Sequence, residues 1–373
     1  MHRPHTPHTS ARVRPARRSG VMSLAAVALL TAVMTTACTA EPGGVDLGSD
    51  WKGAQAFALA KVGGQLTVVG VNPKKGKAEA LTVVPSQADD DDTLAPQIAE
   101  LANGQWVISV PRKGGKPDRL YQLDEKEHSV AGQSAGVEPL HGLYPAKSFV
   151  AAVPGPADEG KGGDKWKGHS SAVLVRKSGG WTTARTLKLP GAISLAGSSP
   201  TSDSLCLTRD AKDNKGETRV STVDLLDGTV YNESAAPKGF AVQQLACDDG
   251  HPVLAGPAKA GGGSSTGSGK LSVDRTGNTT VVTADGGRVD QLAVDGDTIT
   301  AAVFHKGTES LITLDAKSGK ETHRATLSGL MDAEGIQRTK QGWLVFSEDA
   351  AALVAPSSPT AKKIKLPGKL LAS

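Results

Sequence analysis

Aromatic side chains are scarce: five Trp, three Tyr and five Phe in 373 residues, set against 44 Gly and 21 Pro. With charges of both signs interspersed, that balance describes a soluble globular chain rich in turns. Its length suits one large all-β domain or two ordinary ones. The apolar run Met22–Met34 falls well short of the roughly 18 residues that span a bilayer. Signatures of catalysis are also missing. His128, His141, His169, His251, His305 and His323 include no pair at a zinc-ligand spacing, and there is no His-Glu-x-x-His. Gly269-Lys270 is followed by Leu271 rather than Ser or Thr, so there is no phosphate loop. Gly263-Ser264-Ser265-Thr266-Gly267 matches the nucleophile-elbow pattern only formally. That elbow needs a strand before it and a helix after it, and this copy sits in a Gly/Ser tract. The expectation is therefore no catalytic residue, no metal site and no cofactor.

The amino terminus reads as a targeting segment. Arg3, Arg12, Arg14, Arg17 and Arg18 form a basic region without an acid, and the short apolar run comes next. The run ends in Thr35-Thr36-Ala37-Cys38, which resembles a bacterial lipobox, with Thr35 where Leu is usual. The resemblance implies cleavage before Cys38, lipid attachment (palmitate) to it, and an address on the outer face of the bacterial cytoplasmic membrane. The alternative is an ordinary secretory signal cut near Ala37 or Ala40. Arg17-Arg18 also partly fits a twin-arginine export signal, but Gly20 stands where that motif wants a bulky apolar residue. Residues 1–37 carry five Arg and no acid, so removing them turns the formal charge of +4 into −1. Nucleic-acid binding loses its electrostatic support. With Cys38 given to lipid, Cys206 and Cys247 remain to pair as a disulfide in an oxidising compartment.

What the chain has in quantity is repetition. Ser310–Leu327 reads as two short strands around an Asp-x-x-x-Gly turn at Asp315–Gly319, and related hairpins occur at 66–84, 119–130, 172–189, 219–231, 270–282 and 351–366. Their turns are spaced by 40 to 52 residues, the period of a propeller blade with four short strands. A second hairpin in each unit opens on x-Leu-Ala, as at Glu100-Leu101-Ala102, Ser194-Leu195-Ala196, Gln244-Leu245-Ala246 and Gln291-Leu292-Ala293. Degenerate copies stand at Gly142-Leu143-Tyr144 and Gly335-Ile336-Gln337. The first unit lacks this opening strand, and Leu371-Ala372 near the end repeats its signature. The sequence thus predicts that Lys369–Ser373 closes the ring on blade one, leaving no unpaired edge there.

Over residues 51–373 these turns resemble quinoprotein-type and surface-layer-type β-propeller repeats. The resemblance implies an all-β fold: a seven-bladed β-propeller of four-stranded antiparallel blades, preceded by a signal peptide (1–37) and a flexible tether (38–50). The Trp-Asp pair of WD repeats, the Trp-rich docking motif of quinoprotein enzymes and the sialidase Asp box are absent. No enzyme function is carried over with the fold. In such a ring Cys206 and Cys247 lie beside inner turns of adjacent blades, within reach of each other.

Two features outside the repeats are candidates for partner binding. Trp166 stands in the enlarged Gly/Lys/Asp loop 154–169, where no core pattern demands an aromatic. Asp89, Asp90, Asp91 and Asp92 form an acidic run on the same side of the ring. It lacks the glycine and ligand alternation of a calcium loop and reads as solvated. The expected function is a monomeric, non-enzymatic binding or scaffold module in the cell envelope, meeting a protein or glycan there. The competing expectation is a hydrolase-like propeller enzyme with its site over the central channel.

Overall fold

The computed structural model describes residues 45–373 except 86–94, 102, 113–115, 138–139, 155–170, 178–180, 190–192, 211–217, 237–241, 258–268, 275–278 and 285–286. Strands dominate, and the one helical element described is a short 3-10 turn, Trp51–Gly53. Hydrogen bonding groups the strands into seven four-stranded antiparallel sheets. Sheet 1 combines Ala56–Val62, Gln65–Asn72 and Lys77–Val83 with the last strand, Lys369–Ala372. Sheets 2 to 7 are consecutive meanders opening at Gln97, Leu140, Ile193, Gln244, Arg288 and Gly335. The architecture is a β-propeller with four-stranded antiparallel blades. Counted as regular blades the units come to five, not the seven expected from the repeats. Register shifts after Leu59, Leu140, Ile193 and Val289 break the ladders between first and second strands in sheets 1, 3, 4 and 6, so the ring departs from an even repeat.

The strands are apolar on both faces because each sheet is sandwiched between two others. Every buried cluster spans a neighbouring pair. Phe57, Leu59 and Val68 of sheet 1 pack on Trp106, Ile108 and Leu123 of sheet 2. On its other face Ala56, Ala58 and Val69 meet Leu344, Phe346 and Ile364 of sheet 7. That second layer brings the end of the chain back to its beginning. The expected closure is present in the ladder itself: Leu59 pairs with Ala372, Ala60 with Leu370 and Lys61 with Lys369.

The turns explain why the repeats could be read. In three sheets Asn72, Asp224 and Asp315 accept, through their backbone carbonyls, the N–H of Gly76, Gly228 and Gly319 at 2.9, 2.8 and 2.8 Å. Their side chains accept a second N–H, from Lys75 (3.0 Å), Leu226 (2.6 Å) and Ser318 (2.7 Å). The three glycines take φ of +65°, +83° and +67°, a region that costs a side chain steric strain. In sheet 2 the same place is filled by His128 at φ +53°, which is why that turn lacks its glycine. One boundary differs from expectation. The first strand of sheet 2 is Gln97–Glu100, not a strand carrying Leu101-Ala102, because Leu101 N donates to Gln105 O at 2.7 Å inside the following turn.

Each sheet has two ends. The turns joining first to second and third to fourth strands lie at one end, here called the turn face. First strands begin, and second strands lead into third, at the other end, the loop face.

Candidate functional site

On the loop face of sheet 6 three strands bring Arg288, Phe304 and Glu309 side by side: Arg288 pairs with Phe304, and Phe304 with Glu309. Val289 is buried in the layer against sheet 5, and the register shift beyond it turns Asp290 inward, its side chain 8% exposed. The Arg288 guanidinium lies over the Phe304 ring at 5.3 Å. It donates to Asp290 Oδ2 at 2.9 Å and to Asp332 on the loop that leads to sheet 7.

Glu309 lies beneath this arrangement, 1% exposed. Neither of its carboxyl oxygens receives a hydrogen bond from a described donor. Burial, together with the smaller effect of the negative charge of Asp290, pushes its pKa up to about 8, and Arg288 only partly opposes them. Two carboxylates cannot hydrogen-bond each other, but one shared proton lets them. Burial and the nearby Asp290 charge thus favour the protonated form of Glu309.

The acids continue onto sheet 7. Burial raises the Glu334 pKa, and the charges of Glu348 and Asp332 add to the effect. Glu348 is paired with Lys369 at 2.7 Å, and its carbonyl accepts the Leu370 N–H at 2.7 Å. Asp290, Asp332, Glu334 and Glu348 thus form an arc over two sheets and the closing strand, with Arg288 and Lys369 as its internal cations. Among the described residues no group of His, Cys, Asp and Glu is disposed to hold a metal ion. The arc is an electrostatic surface, and Glu309 beneath it is sealed from solvent.

Two related polar positions occur at the same end of other sheets. Asp118 is buried in sheet 2, where its Oδ2 accepts from Ser109 Oγ at 2.9 Å and Leu140 N at 3.3 Å. Burial raises its pKa. In sheet 4 Glu233 bridges Arg209 and Arg219 at 2.7 and 3.1 Å. On the turn face a shallow depression of about 350 Å³ is lined by Trp51, Lys52, Glu125, Lys126 and His128. The Trp51 and His128 rings stack there at 5.2 Å. Trp51 is 4% exposed, so its ring fastens the amino-terminal strap to sheet 2.

Of the residues singled out in the sequence, Cys206 and Cys247 form a disulfide. It joins sheet 4 to sheet 5, as their place beside adjacent inner turns implied. Cys38, Trp166 and Asp89 to Asp92 lie outside the described residues. No described helix is long and apolar enough to cross a membrane. The Glu309–Asp290 pair was not anticipated. Its one sequence signal is an acid two places before Leu311, on the inward-facing register of an apolar strand.

No protein-family model matches the chain, and no curated protein matches it by sequence. Solved structures match in shape. An acylaminoacyl peptidase in complex with Z-Gly-Gly-Phe-chloromethyl ketone is similar with a TM-score of 0.55 and 13% identity, over 80% of this chain and 48% of that one. A prolyl endopeptidase is similar at 0.50 and 12%, over 83% of this chain and 49% of that one. Hydrazine synthase from Kuenenia stuttgartiensis is similar at 0.51 and 12%, over 86% of this chain and 98% of that one. The chain spans about half the length of the two peptidases. At these identities the likeness shows the fold alone, and the neighbours are propeller-containing proteins.

Proposed function

We propose that the chain is a lipid-anchored β-propeller that acts as a non-enzymatic binding module at the outer face of the bacterial cytoplasmic membrane. Its loop face would engage a cationic segment of an envelope protein. The lipobox-like Cys38 supports the address. The observation that carries the binding role is the arc of Asp290, Asp332, Glu334 and Glu348, in which Asp332, Glu334 and Glu348 reach solvent. Acids ranged over a surface steer a basic partner and fix its register.

The test is charge reversal. Glu334→Lys with Glu348→Lys should abolish in-cell crosslinking to the partner captured by the parent protein, while the thermal transition stays within a few degrees. Unchanged capture would sink the acidic face as the binding surface.

A second reading, a propeller hydrolase, draws on a raised carboxyl beside a second acid, the division of roles used by acid–base pairs. The peptidase neighbours lean the same way through fold alone. Against it stands the burial of Glu309, which leaves a substrate no route to its proton.

A further inference from the structure

The arc has a counterpart of opposite sign near the point where the amino-terminal segment joins the ring. The outer strand of sheet 7, Lys362–Lys365, exposes Lys362, Lys363 and Lys365. Beside it the turn of sheet 1 exposes Lys74, Lys75 and Lys77. The two groups are contiguous: a Cβ built on Gly76 would stand 2.5 Å from Lys362 Nζ. Arg338 and Lys340, on the first turn of sheet 7, extend the sector on the turn face.

Only part of this charge is neutralised. Lys75 pairs with Asp50 at 2.9 Å, and Lys77 pairs with Glu79. Lys363 Nζ donates to Gly329 O at 2.8 Å, a neutral carbonyl. Among the described residues no ion pair joins Lys74, Lys340, Lys362, Lys363 or Lys365 to an acid. The sector is also bounded. The turns of the flanking sheets are mixed, with Asp124, Glu125 and Glu127 around Lys126 on one side and Asp295, Asp297 and Asp315 beside Lys317 and Lys320 on the other. The cationic surface is therefore one edge of the ring, shared by sheets 7 and 1.

The amino-terminal strap runs along that same edge. Val45 is buried, Gly48 N donates to Ala80 O at 2.7 Å, and Asp50 Oδ2 accepts from Asn72 Nδ2 at 2.7 Å. From Cys38 to Val45 the chain has seven peptide links, which span at most about 25 Å when fully extended. A lipid on Cys38 would hold Val45 within that distance of the headgroups, close enough for the edge lysines to enter the layer of roughly 8 Å in which an anionic surface acts.

We infer that the lysine edge of sheets 7 and 1 is a membrane-docking surface that lies against anionic lipid headgroups, tilting the ring so that the edge faces the bilayer. The inference rests on the lipid-anchor reading above. A flat approach on the turn face would bring the acids of the flanking turns to the headgroups as well. An edge-on approach does not.

The test uses the anchored protein purified from membranes and reconstituted into vesicles of phosphatidylcholine alone or mixed with phosphatidylglycerol. A water-soluble amine reagent reports the labelling rate of each lysine by mass spectrometry. Lys362, Lys363, Lys365 and Lys74 should label at least about threefold more slowly on the anionic vesicles, given roughly fivefold in affinity per lysine at such a surface. Lys147 and Lys188, exposed on sheet 3 across the ring, serve as references and should not change. Added salt should remove the difference. In Lys362→Gln/Lys363→Gln/Lys365→Gln, Lys74 should return to its rate on neutral vesicles. Equal rates on both vesicles, with the protein still bound, overturn the docking surface and leave the anchor standing. A protein that sediments with neither vesicle overturns both.

Discussion

Glu309 shows how one residue can be costly to a fold and still be held in place. Its folded pKa, near 8, lies above the ordinary Glu value of 4.5 because burial and the Asp290 charge disfavour ionisation. The folded state thus binds this proton more tightly than the unfolded chain does. Stability from the group is complete below about pH 4.5 and is lost as pH rises through about 8, at up to roughly 1.4 kcal/mol per pH unit. Glu309→Gln keeps a donor toward Asp290 and cannot ionise. We expect its stability between pH 5 and 8 to lose most of the slope attributable to this site, with a gain on the order of 2 kcal/mol at about pH 8. Urea unfolding across that range is the check. Parallel pH profiles for the two proteins would mean that Glu309 is already ionised in the fold. The sequence marks this residue only through its register two places before Leu311, since Thr308-Glu309-Ser310 otherwise looks like an exposed strand start. Asp315 and Gly319 were legible because their roles are local: an acceptor for nearby N–H groups and a positive φ, both confined to five residues.

At the scale of elements, the hairpins were legible and their joints less so. Each of the seven outer hairpins read from the sequence is the third and fourth strand of a sheet, because strand and turn chemistry both act within one unit. Contacts that pass between units are harder to read. Gln244 Nε2 donates to Asp290 O at 2.7 Å in sheet 6, Gln337 Nε2 to Phe57 O at 2.8 Å in sheet 1, and Gln97 Oε1 accepts from Leu143 N of sheet 3 at 2.6 Å. Those glutamines look like ordinary surface residues until their neighbours are known. The disulfide Cys206–Cys247 ties sheet 4 to sheet 5. By closing a loop with a sequence separation of 41 it adds about 3–4 kcal/mol in the chain-entropy model. Cys206→Ala with Cys247→Ala should lower the melting temperature by roughly 5 °C or more. Hydrogen exchange should accelerate first in sheets 4 and 5. A uniform rise around the ring would show instead that the bridge supports the fold globally.

For the whole molecule, the net charge of +4 gives the wrong impression of its surface. Five of the positive charges belong to residues 1–37, and residues 38–373 are close to neutral, with their charge separated by location. Acids gather on the loop face of sheets 6 and 7, and lysines gather on the edge of sheets 7 and 1. If Cys38 carries lipid, this separation acquires a direction, because a short tether holds the cationic edge near the headgroups while the acids of the loop face remain open to a soluble partner. In this reading the lipid supplies the attachment and the cationic edge supplies the orientation. The two contributions predict different failures. Cys38→Ala in the full chain, expressed in a host that processes lipoproteins, should move most of the protein from the membrane fraction to the soluble fraction, because lysines alone hold weakly at physiological salt. Substituting the three edge lysines should leave the fractionation unchanged and alter only the orientation. Retention of Cys38→Ala on the membrane through an uncleaved apolar segment, seen as a larger mass on immunoblots, would refute the anchor; retention at the cleaved mass would show that the edge binds the membrane without it.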